Sequence, residues 1–252
     1  MFFFLFFRTF LQATLMLQFP TSAQKIVQCA NFGDYDVSSM KTLLTGGSAT
    51  PTVVAQGIID KFKLKAFRHV YGMSETSGAV TATPASTDDY ESVGKPVPMT
   101  QIKVVDVQTR ERLDPGQHGE ICVKGPYCCI GYFNKPEETK QLYDDDGFIQ
   151  TGDIGYYTAE GKLFVVDRMK ELIKCMDQQV APAELEDLLL QHKAVKEAAV
   201  TGVPHPEYGE AARAFVVPFE EASADDALKE NLAKLVAGHL WDPAAISHGA
   251  TQ

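Results

Sequence analysis

Between Pro51 and Phe62 the apolar residues Val53, Val54, Ile58 and Phe62, with Gly57, recur at helical spacing. Pro51 stands at the start of that run, so the pattern predicts a helix. The pair Gly46-Gly47 precedes it, and Lys65–Val70 reads as a short strand entering a loop at Tyr71. From Glu91 the period shortens. Ile102–Val107 and Gly119–Val123 read as strands joined through Asp114-Pro-Gly116. Gly155–Tyr157 and Leu163–Val166 flank Ala159-Glu-Gly161 as a hairpin. These short runs predict a small β-barrel or a curled sheet. Past Arg168 the pattern is α+β. Pro182–Gln191 predicts a helix with Leu185, Leu188 and Leu189 on one face, acids early, and His192 and Lys193 after its end. Ala198–Val203 and Ala212–Val217 read as strands, Ala227–His239 as a weaker helix, and Pro243–Gln252 as a disordered tail.

The expected organisation is an apolar segment over 1–23, a partial α/β subdomain over 24–90, a small β-barrel subdomain over 91–167, a partial α+β domain over 168–218 and a divergent tail over 219–252. In the first segment phenylalanines lead and Arg8 interrupts the apolar run. A secretory signal places its basic residues first. Thr21-Ser-Ala23 has the small residues of a cleavage site, so the segment reads as signal-like or as an altered start. It is short and charged for a membrane span, and none is expected.

Composition narrows the partners. The 252 residues are 45% hydrophobic and 22% charged, as in ordinary globular proteins. A net charge of −10 argues against a nucleic-acid partner. The five cysteines show no C-x-x-C spacing, which predicts a reducing compartment and no structural metal.

Four short runs can carry chemistry. In Tyr71-Gly-Met-Ser-Glu75 a ring can stack on a base, Gly72 lets backbone approach a ligand, Ser74 can hold a phosphate and Glu75 a metal. Taken alone, the pentapeptide is better read as a buried tyrosine before a polar turn. Thr151-Gly-Asp153 sets a carboxylate in a tight turn suited to two ribose hydroxyls, or simply caps a loop. Arg168 can contact ribose or phosphate, or form a surface ion pair worth little. Lys170 and Lys174 follow, and spacing alone does not single them out.

In this order the runs resemble the AMP-forming adenylating superfamily, in the branch of acyl-CoA synthetases, 4-coumarate–CoA ligase and firefly luciferase. The resemblance extends over Leu44-Thr-Gly-Gly-Ser48, the Tyr71 loop, Gly119-Glu-Ile-Cys-Val-Lys-Gly-Pro126, Gly131-Tyr132, Asp146-Gly-Phe-Ile-Gln-Thr-Gly-Asp153, Phe164-Val-Val-Asp-Arg168 and Val180-Ala-Pro-Ala-Glu-Leu-Glu186. It implies a truncated adenylate-forming-enzyme fold, α/β plus a β-barrel subdomain followed by a small α+β C-terminal domain. It also implies roles. Gly46 and Gly47 line the adenine and acyl pocket, and Tyr71 and Gly72 meet the adenine. Ser74 holds phosphate, Glu75 binds Mg2+, Asp153 binds ribose, and Arg168 makes a second ribose or phosphate contact. Lys170 is the hinge of the small domain, and Lys174 and Gln179 approach in the second half-reaction.

The implied reaction joins a small-molecule carboxylic acid to ATP, giving an acyl-adenylate and pyrophosphate. Coenzyme A then takes the acyl group and AMP leaves. The resemblance implies a cytoplasmic protein, or a peroxisomal one, although the chain does not end in Ser-Lys-Leu. Three departures stand against it. The family's upstream phosphate loop and its late catalytic lysine have no counterpart here, and Cys175-Met-Asp-Gln178 replaces Tyr-Lys-Gly-Tyr. His69-Val70 also replaces the usual Gln-Gly before the tyrosine. The expectation is therefore a fragment with little activity alone. A luciferase-like monooxygenase and a non-catalytic nucleotide-binding or interaction module are the alternatives.

Overall fold

In the computed structural model, which describes residues 12–86, 89–175, 178–219 and 225–237, the run Leu15–Gln18 forms a strand, β1. Its side chains alternate, Met16 and Gln18 inward and Leu15 and Leu17 outward, as a pleated strand with one covered face requires. β1 pairs in parallel with β2 (Thr42–Thr45), and β2 in parallel with β3 (Ala66–Met73). β4 (Gly78–Ala82) and β5 (Lys95–Pro96) extend the sheet antiparallel. Parallel neighbours need helical crossovers, which α1 (Pro20–Val27) and α2 (Thr52–Phe62) supply. Val54, Ala55, Ile58 and Phe62 of α2 face Met16, Leu43 and Phe67 of the strands. Each such large apolar side chain contributes about 1.5–3 kcal/mol when fully buried. α2 ends at Lys63, whose φ of 53° breaks the helix.

A second sheet has the order β6 (Gln101–Val105), β7 (Gly119–Lys124), β8 (Ile149–Tyr157) and β9 (Leu163–Arg168). α3 (Pro136–Leu142) lies between β7 and β8 in sequence. The expected barrel is not formed among the described residues. Closure requires the first and last strands to pair at a matched tilt and stagger, whereas β6 and β9 are the two edges of this sheet. The described strands form an open four-stranded sheet instead. Val104, Ile121, Val123 and Leu163 pack on Val80 of β4, so the two sheets share a core and β8 runs close to Tyr71.

The chain divides into two compact units between Val165 and Val166. The second carries a sheet ordered β11 (Gln178–Val180), β10 (Ile173–Cys175), β13 (Gly209–Pro218) and β12 (Val195–His205). Its core gathers Ile173, Val195, Val200 and Ala212 with Leu185, Leu188 and Leu189 of α4 (Pro182–Leu190) and Leu232 and Val236 of α5 (Asp226–Ala237). The three leucines lie on the face that the sequence period predicts. Asp167 Oδ2 accepts the Ala183 N–H at 3.2 Å and so satisfies one of the unpaired donors at the start of α4. Among the described residues no helix is long and apolar enough to cross a membrane. The leading phenylalanines, Met176-Asp177 and the expected tail over 243–252 lie outside the described residues.

Candidate functional site

Two loops leave the first sheet side by side. Thr45 is the register partner of His69, so Gly46-Gly47 emerges next to Val70 and Tyr71. This is the carboxyl end of adjacent parallel strands, where open α/β sheets bind ligands. β3 continues past that edge and pairs with β4, with a register shift at Tyr71/Gly72. A Cβ on Gly72 would sit 2.0 Å from the Gly78 carbonyl oxygen, so no side chain fits there. A single 3-10 turn over Ser74–Thr76 follows. The buried Thr76 hydroxyl fixes it, accepting the Met73 N–H at 3.1 Å and lying 2.8 Å from the Gly78 carbonyl oxygen. Ser74 is left exposed and Glu75 half-buried.

Asp153 of β8 reaches this loop from the second sheet. Its Oδ2 accepts the Tyr71 hydroxyl at 2.7 Å, across 82 residues of sequence. The carboxylate is 4% exposed. A buried carboxylate is tolerated only with hydrogen-bond partners, and the tyrosine supplies one.

Glu75 is held from another direction. Its Oε1 accepts the Tyr132 hydroxyl at 2.6 Å, and its carbonyl oxygen accepts the Cys129 N–H at 2.7 Å. The Glu75 carboxylate pushes the Tyr132 phenol up to about 12, so this proton stays on the tyrosine. Among the described residues no group of three or more His, Cys, Asp or Glu gathers for a metal. A lone half-buried carboxylate with one oxygen tied to a tyrosine fits Mg2+. That ion takes one or two protein carboxylates and fills its other positions with phosphate oxygens and water.

The family model for AMP-binding enzymes matches residues 9–133, and that for the AMP-binding enzyme C-terminal domain matches residues 184–249. The chain belongs to the AMP-binding enzyme family. It is 41% identical over 206 residues to luciferin 4-monooxygenase of Nipponoluciola cruciata, covering 82% of this chain and 38% of that protein. It is 38% identical over 222 residues to 4-coumarate–CoA ligase of Pinus taeda, covering 86% and 41%. ATP-bound MatB from Rhodopseudomonas palustris superposes with a TM-score of 0.79 at 31% identity, covering 90% of this chain and 44% of that one. The chain thus spans less than half the length of the relatives it matches.

Within this family fold the expected site residues fall into two groups. Gly46, Gly47, Tyr71, Gly72, Ser74, Glu75 and Asp153 belong to the first unit, where Tyr71 and Asp153 touch. Arg168, Lys170, Lys174 and Gln179 belong to the second, and all four are exposed. Lys174 and Gln179 are direct partners across β10 and β11. Sequence reasoning gave Tyr132 no role. Its only signal was the Gly131-Tyr132 pair, and its contact with Glu75 spans 57 residues. His69 is buried against the Phe67 ring, at 5.2 Å between centroids, with Nδ1 3.2 Å from the Ser92 carbonyl oxygen. Burial pushes its pKa down, so it is a neutral interior group.

Proposed function

We propose that this chain serves AMP-forming acyl- or aryl-CoA ligation. In this reading it holds the nucleoside phosphate of an acyl-adenylate whose acyl group passes to coenzyme A. The observation that carries the reading is the Tyr71–Asp153 contact beside the Gly46-Gly47 loop. A ring able to stack on adenine and a carboxylate able to accept from ribose hydroxyls, in direct contact, support it. Tyr71 stacks on the base, Asp153 accepts from the ribose, and Ser74, exposed on its turn, donates to phosphate. Glu75 would hold Mg2+, which when bound neutralises phosphate charge. Arg168 adds a ribose or phosphate contact, Lys170 is the hinge, and Lys174 and Gln179 act in the thioester-forming half. The substrate is a small carboxylic acid.

Calorimetric titration with AMP, together with pyrophosphate–ATP exchange over a panel of fatty and cinnamic acids, tests this. We expect AMP to bind and an acid to support only slow exchange, as for a fragment with little activity alone. Folded protein that takes up no AMP would remove the nucleotide reading, whereas binding without exchange favours a non-catalytic module. A second reading, a luciferase-like monooxygenase, is supported by the 41% identity to luciferin 4-monooxygenase. Light emission with luciferin and ATP decides for it.

A further inference from the structure

The expected tight turn at Thr151-Gly-Asp153 is instead part of strand β8, and Asp153 lies where the β7–β8 ladder breaks register. Glu120 pairs with Ile154 and Cys122 with Gln150, so a single residue of β7, Ile121, faces Thr151, Gly152 and Asp153 of β8. Such bulges bend a strand and re-aim a side chain, and they leave backbone groups without ladder partners. Here three of those groups are met by side chains. The Gly152 N–H donates to Glu120 Oε1 at 3.0 Å. The Asp153 N–H donates to Thr151 Oγ1 at 3.1 Å, and that hydroxyl donates to the Ile121 carbonyl at 2.7 Å. Gly152 has a φ of 70°, which the break demands and which favours glycine.

Glu120 is a buried carboxylate, 3% exposed. Its second oxygen is engaged by Arg110 Nη1, and Arg110 Nη2 donates to Gln150 Oε1 at 2.7 Å. The guanidinium therefore ties the residue before the break on β8 to the carboxylate on β7 that holds its middle. Arg110 is itself presented by a turn in which Asp106 Oδ1 accepts the Gln108 and Thr109 N–H groups at 2.8 and 2.7 Å. A buried charge pair costs desolvation and is weak evidence for stability as such. This one sits where the ladder fails, and it grips the peptide next to Asp153.

We infer that Glu120, locked by Arg110, is a positioning residue that fixes the Gly152 peptide and thereby aims the Asp153 carboxylate at the ribose hydroxyls of the bound nucleotide. The inference rests on the proposed role of Asp153. It adds that the ribose contact is set by a residue that does not touch the ligand. Groups aimed at a ligand must be locked by supporting hydrogen bonds to within about 0.5 Å of the productive geometry. Without Glu120, the Gly152 N–H loses its acceptor and the glycine is free to turn.

The test uses the full 252-residue chain and two probes, AMP and 2′,3′-dideoxy-AMP, titrated calorimetrically. Asp153→Ala is the control for the reading itself. It is expected to weaken AMP roughly tenfold or more while leaving the dideoxy nucleotide unchanged. Glu120→Ala is expected to show the same pattern, a loss of roughly tenfold confined to the nucleotide with ribose hydroxyls. A structural defect would instead weaken both probes alike. If Asp153→Ala discriminates between the probes but Glu120→Ala does not, the positioning role is wrong and the reading of Asp153 survives. If Asp153→Ala itself discriminates nothing, the reading falls and this inference with it. Should Glu120→Ala fail to fold, Glu120→Gln reads the same quantity. It keeps an acceptor oxygen and removes the charge that fixes Arg110, so a smaller loss with the same ribose dependence supports the role. Affinities for both probes unchanged from wild type, or lowered alike, overturn it.

Discussion

The two groups of site residues are built in opposite ways. In the first unit Asp153 is buried against the Tyr71 hydroxyl, Glu75 is tied to Tyr132, and Thr76 fixes the turn between them. In the second unit Lys170, Lys174 and Gln179 stand exposed, the last two side by side on neighbouring strands. A group held before its ligand arrives has little conformational entropy left to lose on binding, whereas an exposed lysine has most of its rotamers still to lose. In the proposed function the first unit is then a nucleotide-binding surface that works by pre-organisation. The second carries groups that act only once a ligand is brought to them.

The largest effect expected of a substitution in this comparison is on stability. Ile121 is fully buried in the shared core of the two sheets, directly under the Asp153 break. Ile121→Ala should cost about 2–5 kcal/mol in urea unfolding. A loss under about 1 kcal/mol would mean that the core beneath the site is loosely packed. Next comes Tyr71→Ala, which removes the ring proposed to stack on adenine. Stacking of a base on an aromatic side chain is worth about 1–3 kcal/mol, so AMP affinity should fall by that amount. Tyr71→Phe should keep most of the affinity. If both variants bind AMP as wild type does, the ring is not a platform.

In the second unit the effects on stability should be smaller, and AMP binding should be untouched. Asp167→Ala removes the acceptor for the Ala183 N–H at the start of α4 and should cost about 0.5–2 kcal/mol, as other lost helix caps do. Lys174→Ala should change stability by less than about 0.5 kcal/mol and leave AMP binding unaltered, while lowering thioester formation where exchange is measurable. Weakened AMP binding by Lys174→Ala would erase the contrast between a held site and exposed groups.

What could be read from sequence follows the same division. The helix at Pro182 was legible because proline, early acids and three leucines agree on one 3.6-residue period, and it ends at Leu190 rather than Gln191. α2 was legible for similar reasons. The order of the Tyr71 and Asp153 runs gave the family, and the structure brings those two residues into contact. The break in β8 was not legible. A two-residue period assumes an unbroken ladder, and nothing in Gln150-Thr-Gly-Asp153 shows that three residues will face one. Nor does the period reveal that Glu120, at a strand position, points inward to a backbone amide. The barrel was over-read because strand spacing does not say whether edges meet. β1 was hidden because Leu15–Gln18 sits inside a longer apolar run, and its alternation shows only when Met16 and Gln18 have a core to face.

The smallest expected effect is a difference of sign in the response to acid. In the first unit burial alone would raise the Asp144 carboxyl. Lys103 and the N–H groups of Phe148 and Asp146 outweigh burial and hold the carboxyl below its usual 3.8. Its contribution to stability is present above that unfolded value and is lost as pH falls through the lower folded one. In the second unit burial raises the Glu186 carboxyl above 4.5, the nearby charges of Asp167 and Glu171 add to it, and the Val200 N–H offsets only part. Its contribution is therefore fully present below 4.5 and lost as pH rises through the folded value. Glu186→Gln keeps an acceptor for the Val200 N–H and never becomes charged. Its advantage in melting temperature over wild type should be greatest near neutral pH and should shrink towards pH 4.5. Asp144→Asn should instead show a deficit near neutral pH that shrinks in stronger acid. Melting curves of both variants against pH check this, and an advantage of Glu186→Gln that grows as pH falls would show that the half-buried glutamate is stabilised, not strained, by its surroundings.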